Sequence, residues 1–304
     1  MDTISFKLMS SDVPGIDIFK NASSCLNCID YGHRYGFNYI RGKLKNLDVL
    51  VTENYLKVYN GSLSKFLLDS NLNELSREDV QNAIENLSDI LQLPIERSIV
   101  QKLHFGINTI VDFETTLYYP YLGHLYPFNR LEQPFGLNYK IKERELVIYD
   151  KIREMKAHRE QIPPLFKNKH VIRVEMRYHK NIGKYFQIPD LRVAHLYNDN
   201  FYNGLKNDLF TTYNKINKIK PIGVNMEEVK TKRQLYMAGI IALIEKEGGY
   251  LNAINNLSER YKKGELTKKQ FHDLKGTFNL NKRNLFQKNN CDLLSEFESK
   301  LIFF

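Results

Sequence analysis

The sequence predicts an α+β fold in which an antiparallel-sheet domain over residues 1–213 is followed by a linker over 214–225 and an all-helical domain over 226–304. In the first part of the chain, short runs rich in aromatic and β-branched residues alternate polar and apolar side chains, which is typical of strands. Single helices interrupt these strands, an order that favours α+β over a doubly wound parallel sheet. From about Val193 the apolar residues recur at helical spacing instead.

Three short strands are predicted near the start of the chain, at Tyr39–Leu44, Leu47–Val51 and Tyr55–Tyr59. Each is rich in strand-forming residues. Asn46 and Glu53-Asn54 separate them at the positions where tight turns fall. We therefore expect a meander of consecutive strands.

An amphipathic helix is predicted over Ser76–Leu91. Ser76 stands at the N-cap position and Asp79 three residues later, as in a capping box. Pro94 ends the helix, because proline lacks the backbone N–H that a longer helix would need. The apolar residues that recur at helical spacing are Val80, Ile84, Leu87 and Leu91.

A long strand with two different faces is predicted over Ile99–Phe113. One face alternates apolar side chains, and this pattern fits an antiparallel sheet with one covered face and one face available for function. Two later strands, Leu146–Lys151 and Val171–Tyr178, have the same character. The polar side chains on the second faces of the three strands are Lys102, His104, Asn108, Asp112, Tyr149, Lys151, Arg173, Glu175 and Arg177.

Helices are predicted for the C-terminal part of the chain. The strongest periodic segment is Val229–Glu245, which Gly248-Gly249 would end as a glycine stop. Further short helices are predicted at Tyr250–Tyr261, Thr267–Gly276 and Leu293–Leu301.

Positive charge is in excess over the whole chain of 304 residues, with a formal net charge of +9. An excess of this size favours a polyanionic partner such as nucleic acid. Residues 216–304 hold 16 Lys plus Arg and 10 Asp plus Glu, so +6 of the excess lies there. Spaced basic pairs fit phosphate contacts with duplex DNA, although a solvated lysine-rich bundle has the same pattern. These pairs are Lys262-Lys263, Lys268-Lys269 and Lys282-Arg283.

Membrane and secretory signals are not found in the sequence. No apolar run approaches the ~18 residues of a membrane span, and the first residues do not have the pattern of a signal peptide. We therefore expect no membrane partner and a cytoplasmic location.

The predicted polar face combines residue types that suit phosphodiester chemistry. A tyrosine with an ordinary pKa near 10 is a poor nucleophile, but a neighbouring cation stabilises the phenolate and a divalent ion polarises a phosphate. Tyrosine, cations and two metal-ligand side chains on one face therefore favour a transient phosphotyrosyl bond to DNA. The alternative is an exposed ladder of ion pairs, which contributes little to stability.

Four segments together resemble the rolling-circle replication initiators, and most closely the filamentous-phage gene II and plasmid replication proteins. Leu146–Glu154 contains a Y-x-K motif, and His170–Arg177 contains R-x-E-x-R. A lysine-containing segment, Lys180–Phe186, follows, and Val58–Phe66 resembles the segment before the family's first helix. The resemblance spans residues 35–210 and implies a nickase-like catalytic domain.

The resemblance also implies roles for the residues that match. Tyr149 would attack the origin strand and remain on its 5′-phosphate, and Lys151 would stabilise the phenolate or the phosphate. Glu175 would bind Mg²⁺ or Mn²⁺, and Arg173 and Arg177 would hold Glu175 or the phosphate. Lys102 and Lys184 would bind phosphate. The implied partners are single- and double-stranded origin DNA and the helicase and polymerase of a bacterial host.

One position departs from the family pattern. The preceding strand usually contains R-x-D, and this chain has Lys102-Leu103-His104. Two interpretations follow: His104 ligates a metal and favours Mn²⁺ over Mg²⁺, or the site is damaged. Asp112 is a weaker candidate ligand. Two other functions therefore remain open, a non-catalytic origin-binding or copy-control protein on the same fold, and a conjugative relaxase that uses the same site.

Overall fold

The computed structural model describes residues 1, 3–34, 36–219, 229–247, 250–284 and 293–301. It confirms the α+β class, with a large antiparallel sheet and helices. The chain divides into two compact units. The first consists of Met1–Thr115, His124–Ile216 and Lys300–Phe304, and the second of Thr116–Gly123 and Asn217–Ser299.

All ten described strands belong to one sheet in the first unit, and every neighbouring pair is antiparallel. The strands are β1 Ile4–Met9, β2 Asn27–Arg34, β3 Phe37–Leu44, β4 Leu47–Thr52, β5 Tyr55–Asn60, β6 Ile99–Val111, β7 Asn129–Gln133, β8 Gly136–Ile141, β9 Arg144–Asp150 and β10 His170–Tyr178. Their order across the sheet is β2-β3-β4-β5-β1-β6-β10-β9-β8-β7. The predicted meander is therefore confirmed as β3, β4 and β5.

The helices of the first unit are α1 Ile18–Ser23, α2 Leu63–Leu68, α3 Arg77–Leu91, α4 Lys151–Ala157, α5 Ile182–Tyr185 and α6 Asp199–Asn214. The capping box that the sequence predicts for α3 is present. The Asp79 backbone N–H donates to Ser76 Oγ at 3.0 Å, and the Ser76 N–H donates to Asp79 Oδ2 at 2.9 Å. α3 ends at Leu91, three residues before Pro94. The next residue, Gln92, adopts a left-handed conformation and forms the C-cap.

One face of the central sheet is the hydrophobic core. Directly paired residues share a face, so the register places Phe105 beside Met176, and Met176 beside Leu146. α6 packs on this face, where the rings of Phe105 and Tyr202 lie 5.7 Å apart. The opposite face therefore carries the alternate, polar residues of β6, β10 and β9.

The described helices of the second unit are α7 Lys232–Lys246, α8 Tyr250–Lys262, α9 Lys268–Asn284 and α10 Leu293–Lys300, of which the last residue, Lys300, belongs to the first unit. α7, α8 and α9 pack around a core of Ile244, Ala253, Leu257 and Phe278. Tyr118 belongs to the same unit, since its hydroxyl donates to Glu296 at 2.6 Å and its ring lies 5.8 Å from that of Phe297.

Two predicted features fall partly outside the described residues. Residues 220–225 of the predicted linker and the Gly248-Gly249 stop lie there. Of the rest of the linker, Asn214 is the last residue of α6 and Lys218 forms a β-bridge with Leu122. No helix within the described ranges combines the length and apolarity that crossing a bilayer requires.

Candidate functional site

The three strands predicted to carry polar residues are neighbours in the sheet, in the order β6-β10-β9. Pairing across these strands forms three rows. The first is His104–Arg177–Glu145, the second Gly106–Glu175–Val147 and the third Asn108–Arg173–Tyr149. We call the surface formed by these rows the polar face. The structure therefore brings Tyr149, Arg173, Glu175, Arg177 and His104 together, as the alternation predicts.

Glu175 is the centre of the polar face and is only 1% exposed. Its Oε2 accepts from Arg173 Nε at 2.7 Å, and its Oε1 accepts from Arg177 Nε at 2.6 Å. His104 Nδ1 lies 3.5 Å from Oε1. Of the two predicted roles for the arginines, holding Glu175 is thus the one seen here.

The electrostatics of this cluster favour an ionised carboxylate beside a neutral imidazole. Burial acts to raise the pKa of Glu175, but the guanidiniums of Arg173 and Arg177 and the contact with His104 outweigh it and hold the pKa well below its usual range. Burial lowers the pKa of His104, and the neighbouring carboxylate only partly offsets this effect. His104 is therefore neutral at pH 7.

Gly106 provides the room that this cluster needs. A Cβ at position 106 would approach the Cβ of Glu175 to 2.9 Å and the carbonyl oxygen of Val174 to 2.9 Å. Both distances are shorter than real Cβ contacts. Because no side chain stands there, β6 pairs closely with β10 at Glu175, the residue on which this cluster is centred.

Tyr149 lies near the end of β9, half-buried, with Arg173 paired to it on one side. On its other side is Gly136, whose Cβ, if present, would come within 2.8 Å of the Tyr149 Cβ. The guanidinium carbon of Arg177 lies 6.0 Å from the centre of the Tyr149 ring. A cation thus stands beside the predicted nucleophile.

The predicted strand position of Lys151 is wrong. β9 ends at Asp150, whose side chain accepts from the Arg153 N–H at 2.8 Å and caps α4. Lys151 is the first residue of that helix and is fully buried. Its ammonium donates to Glu154 Oε2 at 2.7 Å. The alternation of side chains alone extends the strand past Asp150 and does not predict that a helix starts at Lys151. An Asp at the N-cap favours that helix start over a longer strand.

Two further side chains join the His104 end of the polar face. His179 follows β10 directly, and its ring lies 5.9 Å from that of His104. Its Nε2 lies 3.6 Å from Glu145 Oε1, which also accepts from Lys140 at 2.8 Å. Sequence reasoning missed His179 because it lies past the strand end, although the alternation of Arg173, Glu175 and Arg177 extends to it.

A loop segment that carries no sequence motif closes the other end. The Asn108 side-chain amide donates to the carbonyl oxygens of Leu72 at 2.9 Å and Asn71 at 3.2 Å. Its backbone N–H donates to Glu74 Oε1 at 2.8 Å, and its Oδ1 accepts from Arg173 at 3.1 Å. Any residue type can accept a hydrogen bond through its backbone carbonyl oxygen. The sequence therefore does not predict that this segment contacts Asn108.

The fit of a divalent metal can be judged from these contacts. His104 Nε2 is buried and has no hydrogen-bond partner among the described residues, so it is one available ligand atom. Both Glu175 oxygens already accept from guanidiniums, whereas Mg²⁺ is bound by carboxylates that keep lone pairs for it. Asp112 pairs with Lys300 at 2.5 Å. No group of three or more ligating side chains occurs in the described part of the chain. A divalent ion at this cluster therefore stays a prediction.

Beside the polar face is a cleft of about 1040 Å³. Its lining includes the two lysines that were predicted to bind phosphate, Lys102 on β6 and Lys184 on α5. It also includes His179, which connects the cleft to the His104 end of the polar face.

Comparison with known proteins adds no assignment to this geometry. No protein-family model matches the chain, and no curated protein matches it. The functional interpretation therefore depends on the motifs and on the arrangement of the polar face.

Proposed function

We propose that this chain cuts and rejoins one strand of DNA through Tyr149 and initiates rolling-circle replication of a phage or plasmid. The observation that carries the proposal is the position of Tyr149 on the polar face, with the Arg177 guanidinium 6.0 Å from its ring. The basic cleft beside this face and the net charge of +9 support a polyanionic substrate. A conjugative relaxase would use the same chemistry.

The proposed reaction is a transesterification. The Tyr149 oxygen attacks the scissile phosphorus and loses its proton as the new O–P bond forms. The bond from phosphorus to the 3′ oxygen breaks, and that oxygen takes up a proton to become a free hydroxyl. A later attack by a 3′-hydroxyl on the phosphotyrosyl bond restores the strand and releases the tyrosine.

The two arginines have different roles in this scheme. Arg177 has a side chain that is 29% exposed, and none of the described residues accepts a hydrogen bond from its Nη nitrogens. It can therefore donate to the phosphate and stabilise the phenolate. Arg173 is 3% exposed, so it is a positioning residue that holds Glu175 and thereby orients Arg177.

A covalent-adduct assay tests the proposal. The full chain is incubated with a labelled pool of single-stranded oligonucleotides of random sequence, with Mg²⁺ or Mn²⁺ present. We expect a labelled protein band that survives denaturation and is lost in Tyr149→Phe. Tyr126→Phe, at a tyrosine that is 91% exposed, is the matched control and should keep the band. An undiminished band in Tyr149→Phe contradicts the assignment.

Two observations favour a second candidate, a DNA-binding protein without chemistry. Both oxygens of Glu175 are engaged by arginines, and Lys151, the predicted catalytic cation, is buried and paired with Glu154. Such a protein would bind the oligonucleotides and form no adduct at any metal concentration. Absence of the covalent band together with anisotropy binding of the same oligonucleotides would therefore favour the second function, and the band would favour the first.

A further inference from the structure

We infer that the cleft beside the polar face binds an extended single strand of nucleic acid, through Lys57, Tyr59 and Lys180 as well as the predicted Lys102 and Lys184. The inference rests on the proposed function for its choice of DNA as the polymer. It adds a site for the strand on one side of the phosphate that Tyr149 would attack, and it names contacts that the motifs do not assign.

The cleft has a floor of three adjacent strands and a wall formed by one segment. β5 contributes Lys57 and Tyr59, and β1 contributes Ser5. β6 contributes residues 99–102. The wall lies within residues 179–191, which include α5. At about 1040 Å³ the cleft is at the upper end of the range for small-molecule sites, which suits a polymer segment.

Its charge is of one sign. Among the residues that the structure describes, four lysines line the cleft and no aspartate or glutamate does. None of the four forms an ion pair with any residue in the described ranges, whereas Lys140 and Lys151 pair with Glu145 and Glu154. Concave surfaces lined by one sign of charge concentrate oppositely charged ligands. The four lysines are Lys57, Lys102, Lys180 and Lys184.

An aromatic side chain favours a single strand over a duplex. Tyr59 is 36% exposed and lies two residues after Lys57, so both side chains are on the same face of β5. Lysines that follow a backbone, together with an aromatic ring on which a base can stack, are the usual elements of single-strand sites. Bases paired within a duplex are not available for such stacking.

The position of the cleft connects it to the proposed chemistry. Lys102 is on β6, two strands away from β9, and neighbouring strands lie about 4.8 Å apart. β6, the floor strand nearest to β9, is therefore about 10 Å from it across the sheet, and Lys102 lies six residues, about 20 Å, along the strands from the row of Asn108 and Tyr149. A strand held by Lys102 can continue past Arg177 towards Tyr149.

The test is binding of a short fluorescein-labelled oligodeoxythymidylate to the full-length Tyr149→Phe protein, measured by anisotropy over a series of salt concentrations. Using Tyr149→Phe separates binding from chemistry. The test variant is Lys180→Ala/Lys184→Ala. The control, Lys167→Ala/Lys169→Ala, removes two exposed lysines of the same unit outside the cleft lining. Tyr59→Ala and Tyr59→Phe test stacking.

We expect the cleft variant to bind about tenfold or more weakly, and its salt slope to fall by about 1.4 for two lost phosphate contacts with a single strand. The control should change little. Tyr59→Ala should weaken binding by at least about fivefold, a stacking loss of about 1 kcal/mol, and Tyr59→Phe should restore it. Equal losses in the cleft variant and the control would overturn the proposal, as would a larger loss of affinity for a matching duplex than for the single strand in the cleft variant.

Failure of this proposal and failure of the proposed function give different results. The cleft variant is also made with Tyr149 intact. If it forms the covalent adduct at the wild-type level, with the wild-type dependence on oligonucleotide concentration, the cleft is not the strand site and the chemistry stands. If the cleft lysines control binding and no adduct ever forms, the site stands and the chemistry is wrong.

Discussion

At the scale of single residues, the site depends on the buried carboxylate of Glu175, which accepts hydrogen bonds from two guanidiniums. Removing one partner of such a cluster leaves an uncompensated buried charge, which costs about 3–5 kcal/mol. Glu175 therefore fixes the direction of Arg177, whose guanidinium carbon lies 6.0 Å from the centre of the Tyr149 ring. The strand alternation predicts that these side chains share a face. It does not predict their burial, because burial depends on what the 71–74 loop and Gly106 contribute.

Lys218 of the second unit provides a test of the electrostatics at this scale. Burial lowers the pKa of Lys218 to about 8, and the nearby Glu298, at 3.6 Å, only partly offsets this effect. The unfolded chain has a lysine pKa near 10.4. Between these values the unfolded state binds the extra proton, so the stability of the wild type should rise as the pH rises from about 8 to 10.

We expect Lys218→Met to be more stable than the wild type at pH 7, since methionine carries no charge to bury. The advantage should shrink by pH 10, where the folded wild type is already neutral at this position. Urea denaturation at the two pH values measures the difference. An advantage that is absent at pH 7, or that grows with pH, contradicts a lowered pKa.

At the scale of the element, the sequence predicts most of the helix caps and strands that depend on residues close together in the chain. The α3 capping box and the β3–β5 meander follow from Ser76, Asp79 and the spacing of strand-forming residues. β1 was not predicted, yet it lies at the centre of the sheet between β5 and β6. Its partners are about 50 and 100 residues away in the chain, and a local pattern cannot reveal such pairing.

Replacing a glycine by alanine should lower the stability of the protein at one position, in β6, and raise it at another, in α9. Gly106→Ala places a Cβ 2.9 Å from Glu175 Cβ and should destabilise the protein by about 1–3 kcal/mol. Gly276→Ala in α9 meets open space and should stabilise its helix by up to about 1 kcal/mol. Urea midpoints measure both. A Gly106→Ala protein as stable as the wild type would show that β6 does not approach Glu175 this closely.

At the scale of the whole molecule, the net charge of +9 divides between two kinds of surface. In the first unit, four lysines lie together in one cleft, and none of them forms an ion pair within the described part of the chain. In the second unit, basic residues occur along α8 and α9, where Lys262, Lys268 and Lys269 are exposed. Composition predicts the excess, and only the fold assigns it to surfaces.

We expect the α9 lysines to contact duplex rather than single-stranded DNA. Lys268→Ala/Lys269→Ala in the full chain should lower affinity for duplex DNA and reduce the salt slope by about 1.8, which corresponds to two phosphate contacts. Affinity for oligodeoxythymidylate should stay within about twofold of the wild type, because the cleft lysines are intact. Titrations with both DNAs measure this. If both affinities fall equally, the two units do not divide the DNA between them.

The identity of the residue that carries the DNA tests the central claim most directly. The covalent adduct is digested with nuclease and protease, and mass spectrometry then locates the residual nucleotide on a peptide. We predict a 5′-phosphodiester on Tyr149 and on no other residue. A nucleotide attached to a different side chain, or efficient strand cutting with no covalent adduct, would contradict tyrosine catalysis at the polar face.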